Sequence, residues 1–97
     1  MVKLISISKS DRPDKKMKAV FETSDGRTKT THFGAKGMDD YTITKDKEQR
    51  DRYRARHRKD LATKDPTRAG FLSYYILWGN STSVKENIEN YKKRFNM

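Results

Sequence analysis

Apolar residues alternate in short stretches over the first third of this chain and recur at helical spacing over the rest. Val2 to Ser8 is rich in β-branched residues and predicts a first strand. Met17 to Thr23 predicts a second strand, with Met17, Ala19 and Phe21 on one face and Lys18, Val20 and Glu22 on the other. Arg27 to Phe33 predicts a returning strand. Residues 1–34 are therefore expected to form a three-stranded antiparallel meander, because a lone hairpin would be marginally stable.

The turn between the second and third strands contains Asp25 and Gly26. This dipeptide tolerates the positive φ angles of a type I′ turn, so a two-residue hairpin loop is expected. Such a loop places Glu22 opposite Lys29 and matches their charges across the strand pair.

The most apolar stretch of the chain, FLSYYILW, lies in a predicted helix from Pro66 to Trp78. Asp65 is its expected N-cap and Pro66 its first residue, while Gly79 closes it. This stretch is the expected centre of the core, with Trp78 largely buried.

A further helix is predicted from Val84 to Phe95, where Val84, Ile88, Tyr91 and Phe95 form one apolar stripe. Ser83 and Glu86 suit a capping box at its start. The order of three strands and then three helices predicts a segregated α+β fold in one domain, 1–97. Residues 1–34 are its sheet part and 41–97 its helical part.

The remaining helix is predicted from Thr44 to Lys59, with Thr44 as N-cap. Its arginines fall into two rows, one of Arg50, Arg54 and Arg58 and one of Arg52 and Arg56. Between the rows, a narrow stripe of Tyr53, His57 and Leu61 is expected to seat the helix on the core, with both rows pointing outward. Two interpretations stay open. The helix contacts phosphates through its arginine side chains, or it is a solvated face supported by pairs such as Asp46–Arg50.

Charge favours a polyanionic partner. The chain has a net charge of +10, and positions 41–70 hold ten basic and five acidic residues, half of that surplus. Such a balance is typical of proteins that bind nucleic acid, an acidic protein surface or an anionic membrane.

Catalysis is not expected. The chain has no cysteine, which excludes disulfides, thiol catalysis and zinc fingers. Two isolated histidines, His32 and His57, make a poor metal site, and no cofactor motif is present. No apolar run predicts a membrane span or a signal peptide. Gly34 to Gly37 is expected to connect sheet and helices, followed by Tyr41 and Ile43 as core anchors.

Several segments together resemble a family of short basic proteins encoded by large double-stranded DNA viruses of algae and amoebae. They are HFGAKGMDDYT at 32–42, RYRARHRKD at 52–60, DPTRAGFLSYYILWG at 65–79 and S-x-x-x-N-I-x-x-Y-x-x-R-F at 83–95. The resemblance implies a viral protein that acts in the virion or inside the infected host cell. It implies no catalytic residue.

The sequence thus predicts a non-enzymatic viral protein that binds nucleic-acid phosphates without strong sequence preference, with DNA favoured over RNA. The expected contacts are Arg50, Arg52, Arg54, Arg56, Arg58 and Lys59, with longer-range attraction from Lys45 and Lys47. The alternative is a minor capsid or virion scaffold protein whose arginine-rich face meets acidic surfaces of viral structural proteins.

Overall fold

The computed structural model describes residues 2–97 and begins with the predicted antiparallel meander. Strands β1 (Lys3–Lys9), β2 (Lys15–Glu22) and β3 (Thr28–Ala35) pair in the order β1-β2-β3. One face of the sheet carries the buried side chains of Leu4, Ala19, Phe21 and Phe33. Because helices follow the sheet and cover this face, the predicted α+β class is confirmed.

The register of the β2–β3 hairpin differs by one residue from the prediction. Glu22 pairs with Thr28 and not with Lys29, so the expected charge match is wrong. The Thr23 N–H donates to the Arg27 carbonyl at 2.8 Å, which leaves a loop of three residues, 24–26. The Gly26 N–H donates to the Thr23 carbonyl at 3.0 Å and closes the turn. Gly26 has φ +84°, which fits the left-handed residue that ends a three-residue loop.

The helical part is more divided than the three predicted helices. It comprises α1 (Tyr41–Thr44), α2 (Lys47–His57), a 3₁₀ segment (Arg58–Thr63), α3 (Ala69–Leu72), a π-helical segment (Ser73–Leu77) and α4 (Val84–Arg94). The 3₁₀ segment extends α2 directly, and the π-helical segment extends α3.

Helix α3 starts later than predicted because the preceding residues are held in a turn. The Asp65 carboxylate accepts the Thr67 N–H at 3.0 Å, as a cap would, but the helix does not continue from there. Strand β3 holds Thr67 in place: the Thr31 hydroxyl donates to its carbonyl at 2.7 Å, and Lys29 Nζ donates to its hydroxyl at 2.8 Å. The prediction of Asp65 as helix N-cap and Pro66 as first helical residue is therefore wrong.

The predicted apolar centre lies in the core. Its fully or almost fully buried members are Phe71, Leu72, Tyr74, Ile76, Leu77 and Trp78. In the π-helical segment the Trp78 N–H donates to the Ser73 carbonyl at 3.0 Å, five residues back. Because a π-helical turn is wider than an α-helical turn, the Trp78 side chain is rotated about the helix axis relative to its position in a regular α-helix. Of the two expected anchors before α2, Tyr41 is buried, but Ile43 is 58% exposed and was predicted wrongly.

A buried amide joins α4 to the end of the π-helical segment. Asn87 is 2% exposed, and its Nδ2 donates to the carbonyls of Ile76 at 2.8 Å and Ser81 at 2.7 Å. Its Oδ1 accepts the Ser81 N–H at 3.1 Å. Gly79 permits the close approach of the Asn87 amide, since a Cβ there would lie 2.9 Å from Asn87 Cγ. It would also lie 2.2 Å from the Tyr75 carbonyl oxygen. Gly79 directly follows the C-cap Trp78, which is the closing position predicted for it, and glycine is required there for space.

Helix α4 follows its predicted pattern. Ser83 Oγ accepts the Glu86 N–H at 3.2 Å, so Ser83 is the N-cap as predicted. The Ser83 N–H donates to Ser81 Oγ at 3.0 Å and not to the Glu86 side chain, so the other half of the predicted capping box is wrong. Tyr91 is 1% exposed, and Val84, Ile88 and Phe95 pack against the core beside it. The stripe therefore buries the face of α4 that the spacing predicted.

Two asparagines of α4 allow a matched stability test. Replacing buried Asn87 with alanine removes three hydrogen bonds and leaves backbone groups unpaired, so unfolding should become easier by about 3 kcal/mol. Replacing exposed Asn90 with alanine should change the unfolding free energy by less than about 0.5 kcal/mol. Chemical denaturation measures both values, and equal values would contradict the joining role of Asn87.

Candidate nucleic-acid interface

The N-cap of helix α2 is Asp46 and not the predicted Thr44. The Asp46 carboxylate accepts the N–H groups of Glu48 at 3.0 Å and Gln49 at 3.2 Å. Thr44 instead ends the short helix α1, and Lys45 then turns the chain with φ 58°. The supporting pair predicted between Asp46 and Arg50 is not formed. Asp46 faces the helix N-terminus, where the helix dipole favours its negative charge.

A column of three aromatic rings attaches α2 to the core. The Tyr53 ring stacks on Trp78 with centroids 4.2 Å apart and planes inclined by 9°. On its other side, His57 stacks on Tyr53 at 4.2 Å and 26°. Burial, followed by the negative charge of Asp60, raises the pKa of the Tyr53 hydroxyl. Leu61 also packs against the core, so the predicted inward stripe of Tyr53, His57 and Leu61 is confirmed.

Two of the arginines predicted to point outward lie against aromatic rings of the core. The Arg50 guanidinium carbon lies 4.8 Å from the Tyr41 ring centroid, and the Arg50 side chain is only 14% exposed. Arg54 lies 5.6 Å from the Tyr74 ring and donates to Asn80 Oδ1 at 2.9 Å. Burial, with the nearby positive charge of Arg50, lowers the pKa of Arg54. The outward orientation predicted for Arg50 and Arg54 is therefore wrong.

The other predicted contact residues are exposed. Arg52 and Arg56 lie one helical turn apart on α2, while Arg58 and Lys59 follow on the 3₁₀ segment. Within residues 2–97, these four side chains form no salt bridge. Lys45 and Lys47 are exposed near the start of α2. We call Arg52, Arg56, Arg58 and Lys59 the free cations.

A groove of about 700 Å³ separates α2 from the sheet. Arg52 and Arg56 line it on the α2 side, and Lys15 lines it from β2. Ser73, Leu77 and Trp78 come from the helical core beneath. Sequence reasoning missed Lys15 because no pattern links this strand residue to a distant helix; only the tertiary packing brings them to one groove.

Three acidic residues line the groove, and two of them, Asp40 and Asp60, have a side-chain partner. Lys16 Nζ lies 2.6 Å from Asp40 Oδ2, and that carboxylate is 2% exposed. The same Asp40 accepts the Thr42 N–H at 2.9 Å and so caps α1. Asp60 Oδ2 lies 3.1 Å from His57 Nδ1. Lys16 and Asp40 thus cancel. Asp39 is exposed and forms no salt bridge within residues 2–97, and the three cations Arg52, Arg56 and Lys15 outnumber it and Asp60.

The two histidines lie in separate places. His32 Nδ1 forms a 2.7 Å hydrogen bond with the Ser10 hydroxyl, away from the His57 ring column. Among residues 2–97, no group of three or more histidine, aspartate or glutamate side chains is placed to hold a metal ion. No helix in the same range is long and apolar enough to cross a membrane.

Comparison with known proteins places this chain in a family. A model described as "Family of unknown function (DUF5754)" matches residues 5–57, from β1 to the end of α2. An uncharacterized protein of Acanthamoeba polyphaga mimivirus is 32% identical over 80 residues, which cover 76% of this chain and 80% of that protein. No solved structure matches. The chain therefore belongs to this family of unknown function, and the relative is viral as the resemblance implied. A wider distribution among viruses of algae stays a prediction.

The ring column gives a first test of this site. Replacing Tyr53 with alanine removes the ring between His57 and Trp78, so unfolding should become easier by about 2–4 kcal/mol. Tyr53→Phe keeps the ring and should cost less than about 1 kcal/mol. Thermal and denaturant melts would compare them. A wild-type melt for Tyr53→Ala would mean that α2 does not depend on this column.

The two kinds of arginine give a second test. Arg54→Gln removes both the Asn80 hydrogen bond and the contact with Tyr74, so it should destabilise the protein by about 1–2 kcal/mol. Arg52→Gln, the matched control from the same helix, should alter stability by less than about 0.5 kcal/mol. The measurement is again the free energy of unfolding. The assignment of Arg54 to the core fails if the two variants unfold alike.

Proposed function

We propose that this protein is a non-enzymatic nucleic-acid-binding protein that holds the phosphate backbone through its free cations. The observation that carries the proposal is that Arg52, Arg56, Arg58 and Lys59 are exposed and form no salt bridge within residues 2–97. Arginine and lysine in this state attract phosphate without first breaking an internal ion pair.

The geometry of the free cations suits a backbone more than a base sequence. Arg52 and Arg56 lie one turn apart on a helix, and each guanidinium can donate two parallel hydrogen bonds to a phosphate. Phosphate contacts fix position but carry no sequence information. Binding through these residues should therefore be largely independent of sequence.

The rest of the charge supports capture over a longer range. The chain carries +10, and Lys45 and Lys47 are exposed beside the start of α2. Such an excess raises the association rate with a polyanion and makes it dependent on ionic strength. Since the mimivirus relative is viral, the partner we propose is nucleic acid, with DNA favoured, in the virion or the infected cell.

A virion scaffold protein is the second candidate. Met38 and Ile43 are 64% and 58% exposed and flank the start of α1, where a protein neighbour could cover them. In that case the free cations would meet acidic surfaces of other structural proteins. A protein that ignores DNA at low salt would favour this candidate.

The test is a titration of labelled duplex DNA at several salt concentrations. With four phosphate contacts, affinity should fall roughly a hundredfold between about 50 and 200 mM salt. The double variant Arg52→Gln, Arg56→Gln should bind more weakly, and the slope of log affinity against log salt should decrease by about two. Folding should be unaffected, because both side chains are exposed.

The matched control removes the same charge elsewhere. Lys92 and Lys93 are exposed on α4, so Lys92→Gln with Lys93→Gln lowers the net charge equally without touching α2. This variant should keep nearly the wild-type slope. Equal losses in the two double variants would show that charge alone, and not the α2 surface, determines binding. No binding by the wild-type protein at about 50 mM salt would reject the proposal.

A further inference from the structure

We infer that the groove between α2 and the sheet accepts one unpaired nucleotide of a single-stranded nucleic acid, with its base against His57 and its phosphate held by Arg52 and Arg56. This inference rests on the proposed function and makes its ligand more specific. It requires a ring face open to the groove, cations beside that face, and enough space for a nucleotide.

The ring column supplies the stacking surface. Tyr53 is covered on both faces by Trp78 and His57, and Trp78 is only 7% exposed. The column therefore ends at His57, whose side chain is 34% exposed and lines the groove. Asp60 bonds the His57 Nδ1 atom at the ring edge, which leaves the outer face uncovered by that contact. A base lying there would be the fourth ring of the column.

Cations that can hold the phosphate of such a nucleotide line the same groove. Arg52 and Arg56 line the groove on the same element as His57, and Lys15 lines it from the opposite strand. Lys16 is already neutralised by Asp40. The phosphate is therefore expected on the α2 side, between the two guanidinium groups. Arg58 and Lys59 lie on the next segment and can hold the neighbouring phosphate.

The size and position of the groove favour an unpaired nucleotide over a duplex. Its volume of about 700 Å³ is that of a site for a small organic ligand. A duplex keeps the faces of its bases stacked inside and presents only phosphates and base edges, so none of its base rings can stack on His57. An unpaired base can leave the strand and stack on an aromatic ring, as in many proteins that bind single strands.

The experiment compares three ligands of equal length, about ten nucleotides: a mixed-sequence single strand, the same strand with abasic sites throughout, and the duplex. The abasic strand keeps every phosphate and lacks the bases. The wild-type protein should bind the base-containing strand about tenfold more tightly than the abasic strand. In His57→Ala that ratio should approach one, whereas His57→Phe, which keeps a ring, should retain it.

A second measurement does not depend on any variant. A strand carrying 2-aminopurine, a fluorescent adenine analogue, should lose fluorescence when its base stacks in the groove of the wild-type protein. Unchanged fluorescence on binding, or equal affinity for the base-containing and abasic strands, overturns the inference. If those strands still bind more weakly to Arg52→Gln, Arg56→Gln, the proposed backbone function stands alone. A preference for bases that persists in folded His57→Ala also overturns it, because the bases then bind elsewhere.

Discussion

The position of α2 depends on contacts with aromatic rings, because this helix contributes no fully buried side chain of its own. Tyr53 stacks on Trp78, Arg50 lies over Tyr41, and Arg54 lies beside Tyr74. Each contact pairs a residue of α2 with an aromatic ring that the core already holds. Helix α2 has too few apolar side chains to be held by an apolar stripe alone. The same aromatic residues therefore fill the thin core and form the surface on which α2 packs.

This attachment divides the arginines of α2 between two tasks. A helix with arginine at every second position presents guanidinium groups on both flanks. One flank faces the core aromatics, where Arg50 and Arg54 lose much of their water and Arg54 acquires a lowered pKa. The other flank faces the groove, where Arg52 and Arg56 remain hydrated and unpaired within residues 2–97. Charge density along a sequence therefore overstates the charge that a partner can reach.

The sequence predicted those features that depend on local patterns. Alternation identified the meander, spacing identified the buried face of α4, and the i,i+4 stripe of Tyr53 and His57 gave the rotation of α2. The errors arose where a distant contact decided between local options. Asp65 is a suitable helix cap, but hydrogen bonds from β3 hold Thr67 in a turn instead. The groove was not predicted at all, because only tertiary packing places Lys15 and α2 along the same groove.

The contacts that position α2 would also connect its stability to the proposed ligand. The ring column ends in the groove at His57, so a base stacked there would extend the contacts that hold α2 to Trp78. A ligand that binds only the folded state stabilises it in proportion to the logarithm of its concentration relative to its dissociation constant. Phosphate contacts at Arg58 and Lys59 fall beyond the column and would stabilise α2 less directly. Unpaired nucleic acid and duplex of equal affinity should therefore stabilise the whole fold equally. Under the proposed mode they differ in the local detachment of α2 from Trp78, which the unpaired base alone opposes because only that base reaches the ring that covers Tyr53.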